Sequence, residues 1–383
     1  MKIFHLSDLH IGLKLFNRDL SEDQEEIFGQ IAALASREKP DVILVAGDIY
    51  DKAIPSAEAV GLFDRFISLL TEAAPEAEIM MISGNHDSAA RINVFRGILS
   101  RQHIHMIGLP PQRPEDHIEQ ITLQDEYGPV HFYLLPFVRP SMVRAVVAAD
   151  DETQSLSYDE TLHRLIGREK INTAERNILV SHQFYIPVGE DPSGIERMDS
   201  EIVTVGNIDA VRADVLAPFD YAALGHIHKP TCVGSDHYRY CGTPLACSVS
   251  ESCQQKGVIL IDMKEKGQMT ATVLPIHPRR RVRVIRGALE EVLQQGSDDY
   301  VSVVLTDKED LDVIDMQDRL RSAFPGLLEI RRETVRSADY TAKLTAAEQM
   351  DTFDLCNAFL PDLDAEEKQL LQQVINDVQE AET

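Results

Sequence analysis

Five times along this chain an apolar run ends in a side chain that can bind a metal ion. IFHLS leads into Asp8 and His10, VILVAG into Asp48, MMISG into Asn85 and His86, NILVS into His182, and YAALG into His226 and His228. Runs of this length predict buried strands, so each polar side chain stands where a strand emerges. In open α/β sheets ligands bind at the carboxyl ends of strands. Gly47, Gly84 and Gly225 let the backbone turn sharply there and approach a ligand closely. Carboxylate, imidazole and amide oxygen together suit hard or borderline divalent cations. In Asp8-x-His10 and His226-x-His228 a spacing of two puts both side chains on one side of an extended chain. One Asp-x-His pair says little. Five exits in the order D-x-H, G-D-x-x-D, G-N-H-D, S-H, G-H-x-H point to one composite site.

The segments between these runs predict the frame. Strands are expected at residues 2–7, 42–47 and 79–83, alternating with amphipathic helices at 20–37 and 56–73. The second helix carries Val60, Phe63, Ile67 and Leu70 on one face. That alternation predicts βαβ units and an α/β layered core. After Ile104 the pattern is richer in strands, at 118–123, 130–135, 177–181, 221–224, 257–262 and 269–274. Pro275 and Pro278 interrupt helix and ladder alike and mark a boundary. Beyond it, strands at 281–286, 300–305 and 327–331 with helices at 289–295 and 315–324 predict a small α/β unit. Residues 344–360 and 365–379 read as two helices separated by Pro361. In the last, Leu370, Leu371, Val374, Ile375 and Val378 form an apolar face, which either packs on the chain's own body or fills a partner's groove.

Composition removes other classes. A chain of 383 residues can hold one large core and smaller units. No apolar run approaches the roughly 20 residues that span a bilayer. Asp8 and His10 interrupt what would have to be a signal peptide's apolar region, so a cytoplasmic location is expected. Four of the five cysteines fall between Cys232 and Cys253, at gaps that match no zinc pattern; they read as reduced thiols, several of them buried. The net charge of −26 argues against unaided tight binding to DNA. Residues 288–383 hold 23 acidic and 8 basic residues, against 40 and 29 before them, so that quarter reads as a separate unit, solvated or facing a basic partner. Arg279, Arg280, Arg281, Arg283 and Arg286 are the dense basic cluster. They could track a nucleic-acid backbone or line a solvated strand edge. His5, His103, His105, His117, His131, His163, His237 and His277 read as surface or core histidines.

The five motifs resemble the calcineurin-like metallophosphoesterase superfamily and, within it, the bacterial SbcD family, over about residues 1–260. Closer features are DLHIG, GDIYD, GNHDS followed by Arg91, and ALGHIHKP continuing to RYCGTPLACSVSE. The resemblance implies an α/β (α+β layered) metallophosphoesterase sandwich at 1–275. It adds a small α/β DNA-capping domain at 279–336 and a C-terminal helical segment at 338–383 that binds the coiled-coil base of an SbcC-type SMC-like ATPase. It also implies two divalent metal ions, Mn2+ by analogy, one held by Asp8, His10, Asp48 and His228 and the other by Asp48, Asn85, His182 and His226. Asp48 would bridge, His86 would act on the phosphate or the leaving oxygen, and Asp51 would orient His86. Lys14 and Arg18, in the loop after the first motif, are placed to touch DNA. Arg91 could contact a phosphate or solvate a helix start. The implied activity is a metal-dependent DNA exonuclease and endonuclease in repair and recombination, working 3′ to 5′ on duplex ends and cutting single strands and hairpins. The implied assembly is a homodimer within a heterotetramer, with no membrane.

The physics agrees with that assignment. Two divalent ions bring four positive charges and Asp8 with Asp48 return two negative ones, so the site attracts a phosphodiester inside an acidic protein. Paired metals about 3.5–4 Å apart stabilise attacking and leaving oxygens in line. One rival is a small-substrate phosphoesterase: a protein phosphatase, nucleotidase or cyclic-nucleotide phosphodiesterase. Protein phosphatases of the superfamily carry Arg-Gly after G-D-x-x-D, where this chain has Lys52 and Ala53. The other rival is a catalytically silent scaffold for the ATPase, against which stands the presence of every motif ligand and of His86.

Overall fold

Unbroken apolar runs are expected where a strand is covered on both faces, and the architecture supplies that cover. The computed structural model describes residues 1–148, 156–202, 209–307 and 313–333, together with Glu367, Lys368 and Leu371. Two six-stranded sheets face each other. The first runs in spatial order Met269–Pro275, Gly257–Met263, Lys2–Leu6, Val42–Ala46, Glu78–Ile82 and Ile104–Ile107, its last four strands parallel. The second runs Thr231–Val233, Ser235–Tyr240, Tyr221–Gly225, Arg176–His182, Gly128–Leu135 and Glu119–Asp125, its middle four parallel.

Val42, Leu44 and Ala46 of the first sheet meet Phe132, Leu134, Ile178, Val180 and Ala223 of the second in the central layer. The alternate residues Ile43 and Val45 point outward, to helices α1 (Ser21–Glu38) and α2 (Ala57–Ala73). On the far side Leu179, Ala222 and Leu224 pack against Leu162, Leu165 and Ile166 of the helix Tyr158–Gly167. That helix starts from a capping box between Ser157 and Glu160, and α2 from Ser56, whose side chain accepts from the Ala59 amide.

One expected face is rotated. Helix α2 buries Ala59, Leu62, Phe66 and Leu70, while Val60 is 47% exposed and Phe63 and Ile67 lie at the margin. Both stripes keep helical spacing, so periodicity does not choose between them. The stacking of Phe66 on Phe28 of α1, with ring centroids 4.2 Å apart, does.

The strand Met269–Pro275 ends at the first boundary proline. A third, parallel sheet follows, of Val282–Gly287, Tyr300–Leu305 and Leu327–Arg332, with helices Leu289–Leu293 and Val313–Ala323 between its strands. It has its own core of Ile285, Val292, Val301, Val303, Leu320 and Phe324. Val282 and Tyr300 nevertheless join Ile276 in the core beneath α1. Within the basic run, Arg280 is paired with Asp23 at 2.6 Å, Arg283 with Asp299 at 3.2 Å, and Arg286 with Glu333. Those three arginines therefore serve the sheet and its docking. The helices expected at 344–360 and 365–379 lie outside the described residues, which there include only Glu367, Lys368 and Leu371. No helix among the described residues is long and apolar enough to cross a membrane. Cys241 and Cys247 are buried and Cys232 and Cys253 exposed, all four unpaired.

Candidate metal centre

The parallel strands deliver their carboxyl ends to one edge of the sandwich. The first two motif loops are joined there through the backbone: the Asp8 amide donates to the Gly47 carbonyl at 3.0 Å, and the His10 amide to the Asp48 carbonyl at 3.0 Å. Asp8, His10, Asp48 and His226 have φ of 51°, 42°, 48° and 99°. Such a conformation costs a non-glycine residue about 1–3 kcal/mol and persists only where its surroundings over-determine it. The motif glycines permit close approach. A Cβ on Gly47 would lie 2.3 Å from His182 Nδ1, on Gly84 2.1 Å from Asp48 Oδ1, and on Gly225 2.0 Å from the Ala46 carbonyl oxygen. Asp87, passed over in the sequence, ties the second loop to the third. Its carboxylate accepts from the amides of Ile49 at 3.0 Å, Tyr50 at 2.9 Å and Gly84 at 2.9 Å. Burial first, and then the charge of Asp48, push its carboxyl up to about 6.

Asp48 lies between two groups of donor atoms. On one side His182 Nε2 is 3.3 Å from Asp48 Oδ2 and 2.9 Å from Asn85 Oδ1, and His226 Nδ1 is 2.9 Å from the same Asn85 oxygen. On the other side His10 Nε2 is 3.8 Å from Asp48 Oδ2 and 3.1 Å from His228 Nε2. Asp8 accepts from the His226 amide at 3.0 Å and stands 4.0 Å from His182 Nδ1. Asp8, Asp48 and His182 can offer ligand atoms within 4.8 Å of one another, as can His10, Asp48 and His86. Two imidazole nitrogens facing each other across 3.1 Å can share only one proton. The set of two carboxylates, four imidazoles and an amide oxygen fits divalent cations better than it fits itself.

The electrostatics are those of a crowded pair of charges. Burial alone would raise the Asp48 carboxyl, but the imidazoles of His182, His10 and His86 overcome it and hold it well below the carboxylate range. Burial likewise opposes charge on His182, yet Asp48 and Asp8 push it up to about 9. Burial lowers His10 to about 3 and drives His226 well below its ordinary value. Outer partners orient the rings, as metal ligands require. His182 Nδ1 meets the Ala46 carbonyl at 2.7 Å, and His228 Nδ1 meets Ser200 Oγ at 2.8 Å and Glu251 Oε1 at 3.4 Å. Glu251 is held in turn by Lys256 Nζ at 2.6 Å. His226 Nε2 accepts from Arg197 Nη2 at 3.1 Å, with the guanidinium 4.2 Å over the Phe184 ring. Glu251 closes the RYCGTPLACSVSE stretch, whereas Ser200, Lys256 and Arg197 stand outside the motifs.

Two of the expected residues have specific partners in the fold. His86 is oriented by Asp51 through the backbone: His86 Nδ1 lies 3.0 Å from the Asp51 carbonyl oxygen, whereas the Asp51 carboxylate stands 3.9 Å from His10 Nδ1. Arg18 donates to the Leu327 carbonyl from Nη2 at 2.9 Å and Nε at 3.2 Å, so it links the first motif's loop to the small C-terminal unit. Lys14, in the hairpin formed by Lys14–Leu15 and Arg18–Asp19, and Arg91, in the short helix Ala89–Ile92, are exposed. The histidines outside the motifs are ordinary: His103 and His105 share Glu78 at 2.7 Å, and His5 is buried against Tyr221 Oη at 2.9 Å.

The calcineurin-like phosphoesterase family matches residues 1–230, and the family described as the type 5 capsule protein repressor C-terminal domain matches residues 278–361. The D subunit of the nuclease SbcCD from Staphylococcus epidermidis is 30% identical over 335 residues, 86% of this chain and 84% of its own. The protein of the same name from Staphylococcus saprophyticus is 28% identical over 341 residues, 87% and 85% of the two chains. A solved protein of Thermus thermophilus is 14% identical, with a TM-score of 0.39, over 71% of this chain and 98% of its own.

Proposed function

The chain belongs to the calcineurin-like phosphoesterases and, within them, to the family of the D subunit of the nuclease SbcCD, and from that membership we propose that it cuts DNA at a two-metal site in partnership with an SbcC-type ATPase. The observation that carries the reading is the gathering of Asp8, His10, Asp48, Asn85, His86, His182, His226 and His228 from five strand ends around one carboxylate. Asp8, His10, Asp48 and His228 would hold one divalent ion, and Asp48, Asn85, His182 and His226 the other, with Mn2+ the expected metal. Such ions supply Lewis-acid charge to the phosphodiester and to the attacking and leaving oxygens.

The chain's own part is to hold and move a proton. His86 has its Nδ1 engaged by the Asp51 carbonyl, which leaves Nε2, 4.0 Å from Asp48 Oδ2, as the working atom. In its protonated form it donates from Nε2 to the departing sugar oxygen. Lys14 and Arg91, both exposed, are the proposed contacts to the DNA backbone. Val94, Phe95 and Ile98 are 49%, 69% and 63% exposed just beyond the third motif, an apolar strip that supports homodimerisation of the nuclease domain 1–275. Residues 279–336 would cap the DNA and residues 338–383 would dock the ATPase, in the cytoplasm.

The test is incubation with Mn2+ and end-labelled duplex, hairpin and single-stranded DNA beside bis(p-nitrophenyl) phosphate. Loss of duplex from 3′ ends and cuts in hairpins and single strands are expected. Hydrolysis of the small diester with all DNA intact would instead support the small-substrate phosphoesterase. Two bound ions with no hydrolysis of any substrate would support the scaffold.

A further inference from the structure

Two neighbouring buried residues on the first turn of α1 reach in different directions. Asp23 and Gln24 are each 2% exposed, and a helix turns about 100° between successive residues. Asp23 takes the small C-terminal unit. Its Oδ1 accepts from Arg280 Nε at 2.9 Å, and its Oδ2 accepts from Arg280 Nη2 at 2.6 Å and Tyr300 Oη at 2.8 Å. The Arg280 guanidinium also lies 5.0 Å over the Tyr300 ring. Gln24 takes the first motif's loop. Its Nε2 donates to the Leu9 carbonyl at 3.2 Å and the His10 carbonyl at 2.8 Å, and its Oε1 accepts from the Gly12 amide at 3.1 Å.

The loop that Gln24 braces holds two non-glycine residues at positive φ, Asp8 at 51° and His10 at 42°. Such conformations persist only while their surroundings hold them. Asp23 is in no donor group around Asp48 and Gln24 spends both polar atoms on backbone groups, so the metal centre itself gives no account of two buried polar side chains. A second link runs the same way. The chain leaving Gly12 forms the hairpin whose Arg18 gives two hydrogen bonds to the Leu327 carbonyl of the small unit.

We propose that Gln24 is a positioning residue for His10, and that the Asp23–Arg280–Tyr300 contact makes its hold depend on how the C-terminal unit is docked. Displacing that unit relaxes the donor set of His10 and His228. The set of Asn85, His182 and His226, anchored on the other strands, keeps its place. The metal half of this inference rests on His10 being a ligand; the backbone half does not.

The experiment uses the full chain as parent, Gln24→Ala, Arg280→Ala, Arg280→Lys and Tyr300→Phe, with Arg286→Ala as a control in the same unit away from α1. Amide exchange over residues 9–13 is measured without metal, and Mn2+ binding is measured by calorimetry. Gln24→Ala and Arg280→Ala are expected to speed exchange over 9–13 about ten-fold. Both are expected to weaken one Mn2+ binding step about ten-fold, with the other within about two-fold. Tyr300→Phe should move both readings the same way but less, and it decides the matter if Arg280→Ala does not fold. Arg280→Lys, which keeps the ion pair with Asp23, should recover part of the loss, and Arg286→Ala should match the parent. Exchange that responds to Gln24→Ala but not to Arg280→Ala or Tyr300→Phe would overturn the coupling. Equal weakening of both Mn2+ steps in Gln24→Ala would overturn the positioning role. A parent that binds no Mn2+ yet shows the exchange pattern would support the brace and remove the metal reading alone.

Discussion

Replacing His86 with alanine separates proton transfer from the holding of metal. The side chain is 19% exposed and bonds the Asp51 carbonyl through Nδ1 at 3.0 Å. The contact that orders Asp48 comes instead from the His86 backbone amide, 2.8 Å from Asp48 Oδ1, and alanine keeps it. The stability cost should therefore be that of one net hydrogen bond, about 0.5–1.5 kcal/mol, and both ions should remain. The chemical cost is larger. A positioned general acid contributes about 10²–10⁴ in rate, or roughly 2.7–5.4 kcal/mol of barrier. That loss should appear on DNA, whose departing sugar alkoxide needs a proton, and be much smaller on bis(p-nitrophenyl) phosphate, whose leaving group does not. The assay is turnover of both substrates with Mn2+, beside metal content and thermal midpoint. Loss of an ion, equal falls on the two substrates, or parent-rate cutting of DNA would each refute the reasoning.

Asp48→Ala is expected to lower occupancy of both metal positions, because one carboxylate faces both donor groups; two full ions per chain in anomalous scattering would contradict its bridging role. Gly225→Ala would set a methyl 2.0 Å from the Ala46 carbonyl oxygen and 2.7 Å from His182 Nδ1, so it should cost about 1–3 kcal/mol or more in thermal unfolding, and a parent midpoint would refute it. Arg176, paired at 2.5 Å with Asp125, outweighs burial and holds that carboxyl at about 2 rather than 3.8. Its stabilisation is full above about pH 4 and lost as pH falls through about 2, so Asp125→Asn should lower the unfolding free energy at pH 7 by the worth of a charged hydrogen bond, about 1.5–3 kcal/mol, with the gap closing near pH 2; a gap independent of pH would count against it. With a net charge of −26, the isolated chain should bind duplex DNA weakly and lose it steeply with salt, and tight, salt-insensitive binding in a titration would refute this.

Which side chains could meet a metal, and that strands would carry them, was legible in the sequence because both properties are local. An apolar run long enough to be buried must end, and the residue at its end is plain to read. Strand and helix limits in the small C-terminal unit were legible for the same reason. Which atom answers which came from long-range packing. Periodicity left α2 free to rotate until Phe66 met Phe28. The sequence named Asp51 as the residue beside His86, and the folded loop presents its carbonyl. Nothing local to Arg18 or Arg280 named Leu327 or Asp23 as a partner. Asp87 stands in the G-N-H-D motif, but its role under three amides is visible only in the fold. His182 and the Ala46 carbonyl are 136 positions apart, and Arg280 and Asp23 are 257. A hydrogen bond is made or missed within a few tenths of an ångström. No local pattern carries that information across such separations; only the packing of the two sheets and α1 does.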